Sequence, residues 1–132
     1  MIVTDAGFAA DDWTGGYATP DCANDVRALD LPADADPQGA VRKMRTLRMI
    51  RIRFDSFADG RAFTLARRLR MMGYRGRLRA VGHVLADQYA MARRSGFDEV
   101  EIDPDLARRQ PEDQWLARAN WRQHDYQARL RG

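Results

Sequence analysis

The chain of 132 residues is poor in the side chains from which redox centres, metal sites and disulfide scaffolds are built. It has one cysteine, Cys22, and two histidines, His83 and His124. A single cysteine excludes an internal disulfide and a four-cysteine iron–sulfur or zinc centre. No histidine pair stands at metal-ligand spacing, so neither a metal nor a resident cofactor is expected. Cys22 has no basic neighbour in sequence to lower its pKa and is not expected to act as a thiolate nucleophile. Standard phosphate and nucleophile motifs are also missing: no G-x-G-x-x-G follows a strand, and there is no G-x-x-x-x-G-K-[ST] loop and no G-x-S-x-G elbow. No apolar run approaches the ~20 residues that cross a bilayer. Residues 1–10 contain Asp5 and no basic residue, unlike a secretory leader. No membrane association is expected.

What is present is globular in composition, 45% hydrophobic and 31% charged, at a length suited to one domain. The formal charge of +3 is unevenly spread. Residues 1–38 carry eight acids against Arg27, residues 39–79 carry thirteen basic residues against Asp55 and Asp59, and residues 80–132 carry eight arginines against nine acids. Lys43 is the only lysine among 22 basic residues. Arginine binds carboxylates and oxyanions as a planar fork, so this skew suits anion recognition. A high-GC genome and internal ion pairing explain it equally well. A coherent basic face, which nucleic-acid binding needs, cannot be read from composition, and that function is not expected.

Residues 1–46 predict an irregular, Asp- and Ala-rich N-terminal arm punctuated by Gly15-Gly16, Pro20, Pro32 and Pro37, with a short strand at 1–4 and an extended piece at 26–31. Trp13 and Tyr17 are its candidate anchors. Residues 47–132 predict an α/β body. A strand spans 47–54, and helical spacing then runs over 61–72, with Asp59 as N-cap and Gly73 as stop. A short strand at 78–81 ends at Gly82, a helix spans 84–95 up to Gly96, and a third strand spans 97–102. A helical turn opens at Pro104. An amphipathic helix follows over 112–130, with Leu116, Ala119, Gln123, Tyr126 and Leu130 on one stripe. Met44, Met49, Met71, Met72 and Met91 read as core filler. The order β-α-β-α-β-α argues a small, mainly parallel sheet with right-handed crossovers, Rossmann-like or half-barrel-like. Its open edge is left either to the N-terminal segment or to a partner in a homodimer.

In open α/β sheets ligands collect beyond the carboxyl ends of the strands. That edge holds Asp59, Gly60 and Arg61, then Gly82 and His83, with helix N-termini expected at Gly60 and His83 to favour an anion. Arg61, and Arg79 if its side chain turns to that edge, would add forks. Asp87 and His83 would meet as an i, i+4 pair able to handle a proton. Each has a plainer role: Asp59 as a cap, Gly60 and Gly82 as turn formers, Asp87–His83 as a surface pair, His124 as a solvated residue of the last helix.

The string Asp59-Gly60-Arg61, Ala66-Arg67-Arg68-Leu69-Arg70, Leu78-Arg79-Ala80-Val81-Gly82-His83-Val84 and Asp87-Gln88 resembles a bacterial domain-of-unknown-function family, number nine-three-four, over about residues 48–116. The resemblance implies a cytoplasmic accessory protein of assimilatory sulfite reduction. Such relatives are encoded beside a sulfite/nitrite reductase haemoprotein and carry the label of an oxidoreductase involved in sulfite reduction. It carries over Asp59, Gly60, Arg61, Arg67, Arg70, Arg79, Gly82, Asp87 and Gln88, whereas His83 replaces an aspartate found in many relatives. The alternative is a small enzyme or sensor for a sulfur or phosphate anion at the strand ends. With no flavin, nicotinamide or metal pattern in the chain, any redox group would belong to the partner reductase.

Overall fold

A computed structural model describes residues 1–19, 26–43 and 45–124. Cys22, Met44, Tyr126 and Leu130 lie outside the described residues, as do the side chains of Gln123 and His124. The strands are β1 (Ile2–Thr4), β2 (Gly7–Ala9), β3 (Ala28–Pro32), β4 (Met49–Phe54), β5 (Arg77–Gly82) and β6 (Glu99–Glu101). The α-helices are α1 (Pro37–Val41), α2 (Arg61–Met71), α3 (Tyr89–Ser95), α4 (Pro104–Arg109) and α5 (Glu112–Leu116). The strands form one sheet in the order β2-β1-β6-β5-β4-β3. β3 to β6 run parallel in sequence order, and β1 and β2 add an antiparallel edge. The N-terminal segment therefore fills the open edge.

Strands that follow one another in sheet order, joined by right-handed crossovers, carry their connecting helices on one side. This selects the half-barrel-like alternative. Period two then sorts the strand residues. Leu29, Leu31, Ile50, Ile52, Phe54, Leu78, Ala80, Val100 and Ile102 join one buried cluster with Leu65, Leu69 and Phe63 of α2 and Tyr89 and Ala92 of α3. Phe54 sits at its centre, its ring 5.0 Å from Phe63 and 5.9 Å from Phe97. The alternate residues Asp30, Arg51, Arg53, Arg77, Arg79, Glu99 and Glu101 face the other way.

That second face is crossed by the chain itself. β2 lies at one edge of the sheet, and Ala18 pairs with Leu29 of β3 at the other. Six inter-strand steps of about 4.8 Å, five to β3 and one more to Ala18 on its outer edge, make about 29 Å. Nine extended residues reach about 30 Å. Residues 10–18 thus form a strap drawn almost straight across the helix-free face.

Several local expectations shift. α2 ends as expected: Gly73, at φ +104°, follows Met72, with Gly73 N–H bonded to Arg70 O (3.0 Å) and Tyr74 N–H to Leu69 O (3.0 Å). Its N-cap is Gly60 rather than Asp59, whose carboxylate instead accepts from Arg61 N–H at 3.1 Å. The helix expected over 84–95 begins only at Tyr89, after a 3₁₀ turn at Ala86–Gln88, because Leu85 is extended and its N–H bonds to the Gln88 side chain (2.9 Å). α1 was not foreseen, although Asp36 caps it and Pro37 opens it. In the last segment α5 stops at Leu116, and Trp115, not Leu116, is the buried residue. Of the methionines, Met49 is fully buried while Met71 and Met91 are exposed.

Candidate functional site

The carboxyl ends of the parallel strands gather Asp59, Gly60, Arg61, Gly82, His83 and Asp87, and leave Arg79 three residues back inside β5. Gly82, at φ +105°, is required by a close approach: a Cβ there would lie 2.5 Å from Phe54 O. His83 is exposed, its ring edge-on to Phe57 with centroids 5.0 Å apart. It does not open a helix, so the i, i+4 pairing with Asp87 does not arise. The tip loops are tied by glutamines. Gln88 donates to Phe57 O (2.7 Å), and Gln110 accepts from Ala86 N–H (2.6 Å). A cavity of about 120 Å³ lies among Phe57, Gly82, His83, Asp103, Leu106 and Arg109.

The charge at this edge is not that of an anion site. The loops bring Asp34, Asp36, Asp55, Asp59, Asp87, Asp103 and Asp105 against Arg61, Arg108 and Arg109. Each of those arginines already pairs with an aspartate: Arg61 with Asp59 through Nε and Nη2 (both 3.0 Å), and Arg108 and Arg109 with Asp105. The hydrogen bond from Arg61 holds the Asp59 carboxyl below the ordinary aspartate value.

The amino ends of the same strands carry the opposite sign. Arg27 precedes β3, Arg45 and Arg48 precede β4, and Arg75 precedes β5. All four are exposed, and none forms an ion pair among the described residues. A cleft of about 580 Å³ opens at two of them, Arg48 and Arg75, and is lined also by Trp13, Leu47, Gly76, Arg77 and Asp98. Arg70, one of the residues carried over from the resemblance, closes the wall behind it. Its guanidinium donates to Gly96 O (2.8 Å), Tyr74 O (3.1 Å), Gly76 O (2.7 Å) and Asp98 (2.9 Å). It clamps the carbonyls left at the ends of α2 and α3.

Arg79 belongs to a third locus, the helix-free face. Cross-strand register sets Asp30 beside Arg51, Arg51 beside Arg79, and Arg79 beside Glu99. Two like charges on neighbouring strands are thus held between acids. Arg51 reaches Asp30 (2.9 Å) and Glu101 (3.2 Å). Arg79, wholly buried, reaches Glu99 (2.8 Å), Glu101 (3.1 Å) and, in the strap, Asp11 (3.0 Å) and the Tyr17 hydroxyl (3.2 Å). Arg77 joins Glu99 to Asp12, both at 2.8 Å. Tyr17 stacks on the Arg51 guanidinium at 3.8 Å, so its expected anchoring role holds. Burial alone would raise the Asp11 pKa, but the Trp13 N–H and Arg79 bring it below 3.8, and the bond from Arg77 lowers that of Asp12.

The residues missed from sequence are those of this ladder: Asp11, Asp12, Arg51, Glu99 and Glu101. The alternation R-I-R-F, R-L-R-A and E-V-E-I was their available signal, since it places every charge of three strands on one face. Among the described residues no group of His, Cys, Asp and Glu side chains could hold a metal ion, and no helix is long and apolar enough to cross a membrane.

The chain belongs to the family of bacterial proteins of unknown function DUF934, whose family model matches residues 28–132. The match takes in all four parallel strands and begins at the first residue of β3, so the strap lies before it. No curated protein and no solved structure matches the chain.

Proposed function

We propose that this member of the family is an accessory protein of assimilatory sulfite reduction that docks on an acidic surface of a partner, the sulfite/nitrite reductase haemoprotein, and leaves electron transfer to the partner's own groups. The sulfur context rests on the family resemblance. The docking rests on one observation, the exposed Arg48 and Arg75 at the amino-end cleft, which form no ion pair among the described residues. Exposed guanidinium forks without internal partners raise association rates and select against basic partners. Their effect fades over a Debye length of about 8 Å at physiological salt.

Affinity capture of the tagged chain from cells grown on sulfate tests this reading. The reductase should be recovered with wild type, and lost with Arg48→Glu plus Arg75→Glu or on raising salt. Recovery of no reductase with wild type overturns it. A deletion strain should grow poorly on sulfate and be rescued by both sulfide and cysteine. Rescue by cysteine alone would place the chain after sulfite reduction.

A second reading, a small-anion enzyme or sensor at the carboxyl ends, is favoured by the His83- and Arg109-lined cavity and opposed by the aspartates around it. In this reading Asp59 orders the loop, Arg61 binds the anion, and His83, without Asp87 as its partner, handles a proton. Thermal shift with sulfite, sulfate, adenylyl sulfate and phosphate checks it: a ligand at 100 times its Kd stabilises by about 2.7 kcal/mol. No shift with any of the four removes this reading.

A further inference from the structure

The charged face of the sheet has a cover and no helix, and the cover is ten or so residues of extended chain. Every arginine and acid that the strands place on this face lies inside the family match, while the strap that supplies Asp11, Asp12 and Tyr17 lies before it. Without the strap the face presents Arg51, Arg53, Arg77 and Arg79 against Asp30, Glu99 and Glu101, an arginine in excess. The strap brings two carboxylates to that excess and lays one aromatic ring on Arg51.

Its hold is nevertheless shallow. The Asp11 and Asp12 side chains remain 45% and 69% exposed, so water and salt compete for both. Among the described residues of the strap, 10–18, backbone pairing to the sheet is confined to Ala18, which exchanges bonds with Ala28 O and Asp30 N–H (2.9 Å each). Nor does the strap complete the polar requirement of the face. The buried side-chain atoms left without a hydrogen bond among the described residues, Asp30 Oδ1, Arg51 Nε and Arg79 Nη2, all lie on this face. Arg79 Nη2 is close to Glu99 but poorly aligned with it.

We infer that this face is a binding groove for an acidic peptide segment of a partner protein, two adjacent carboxylates followed a few residues later by an aromatic, and that Asp11, Asp12 and Tyr17 occupy it in cis. The carboxylates read Arg79 and Arg77, and the ring reads Arg51. The groove does not depend on the partner's being a reductase. Its test uses a peptide alone, so either reading can fail without the other.

The probe is a fluorescein-labelled peptide with the sequence of residues 9–18, followed by anisotropy against the full chain. A groove filled by its own strap offers a competitor only its open fraction. The Asp11→Lys, Asp12→Lys chain should therefore bind the peptide about tenfold more tightly than wild type. Tyr17→Ala, which changes no charge, should move binding in the same direction and decides the matter if the double variant does not fold. A peptide with both aspartates replaced by asparagine should bind at least about tenfold more weakly, and adding Arg77→Glu to the opened chain should abolish binding. If neither opened chain exceeds wild type, or if the asparagine peptide binds as well as the acidic one, the inference fails. A strap-exchanged dimer on size exclusion would give the groove to a second copy of the chain and overturn it too.

Discussion

The two faces of the sheet are made of alternate residues of the same strands, yet they are covered in unlike ways. One meets α2 and α3 through Ile50, Ile52, Phe54, Leu78 and Val100. The other meets a strap through Arg51, Arg77, Arg79, Glu99 and Glu101. Parallel sheets are ordinarily covered by helices on both faces. Here the consecutive strand order places the crossover helices on a single side, and a strand-thin strap cannot bury a second layer of large apolar side chains. The vacant face is closed instead by a ladder of charges and by the strap whose Asp11 and Asp12 pair with Arg79 and Arg77. Burying a Leu or Phe contributes roughly 1.5–3 kcal/mol, whereas a partly exposed ion pair contributes about 0–1 kcal/mol. The difference teaches a division of labour: the helix side carries the stability, and the strap side carries a pattern of charge.

The sharpest way to break that division is to truncate neighbours that point oppositely. Phe54→Ala should lose about 3–5 kcal/mol of unfolding free energy. Arg53→Ala, one residue away on the open face and 47% exposed, should stay within about 0.5 kcal/mol. Urea midpoints measure both, and equal losses would refute the comparison. Next in size is Arg79→Met. It strips a wholly buried cation from Glu99 and Glu101 and should cost about 3 kcal/mol. Combining it with Glu99→Met should cost less than the sum of the two single changes, because the second change removes the carboxylate that the first left short of a partner. Additive losses would mean that the ladder is not coupled.

Much of this division was legible in the sequence. The alternation in Met49–Phe54 and Glu99–Ile102 marks strands, and the glycines at 73 and 96 mark where α2 and α3 stop. Trp13 and Tyr17 identify the arm that packs down. The sidedness of the sheet was not legible, because right-handed crossovers give one-sided or two-sided cover according to strand order, which no local pattern encodes. The expectation about the strand tips used a rule for where ligands collect and gave less weight to charge in register. Arg79 could be placed by counting back from Gly82, and the aspartates of four separate loops meet only once the strands are parallel and adjacent. The late start of α3 follows from a side-chain bond to loop backbone, Gln88 to Leu85, which spacing alone does not announce.

Acid should separate the faces more gently than mutation. Asp11 and Asp12 titrate below the ordinary 3.8 when the strap is seated. Their contribution is therefore complete above that value and is lost as pH falls through it toward their folded pKa values. Hydrogen exchange measured as pH falls through 4 should show the bonded strap amides of Trp13 and Ala18 losing protection before those of β4 and β5, once the intrinsic pH dependence of exchange is removed. Simultaneous loss in strap and core would place the strap in the same cooperative unit as the helices.

The smallest effect is expected at the strand tips, and it bears on which edge of the sheet recognises anything. Arg61 is spent on Asp59 in an exposed pair that salt screens. Arg61→Ala should leave the urea midpoint within experimental scatter and leave recovery of the reductase unchanged. Arg48→Glu with Arg75→Glu should also spare the midpoint, since neither side chain has an ion-pair partner to lose, but it should abolish recovery. If Arg61→Ala is the change that abolishes it, the acid-rich edge is the working one, and the arginines at the amino ends are only a solvated surface.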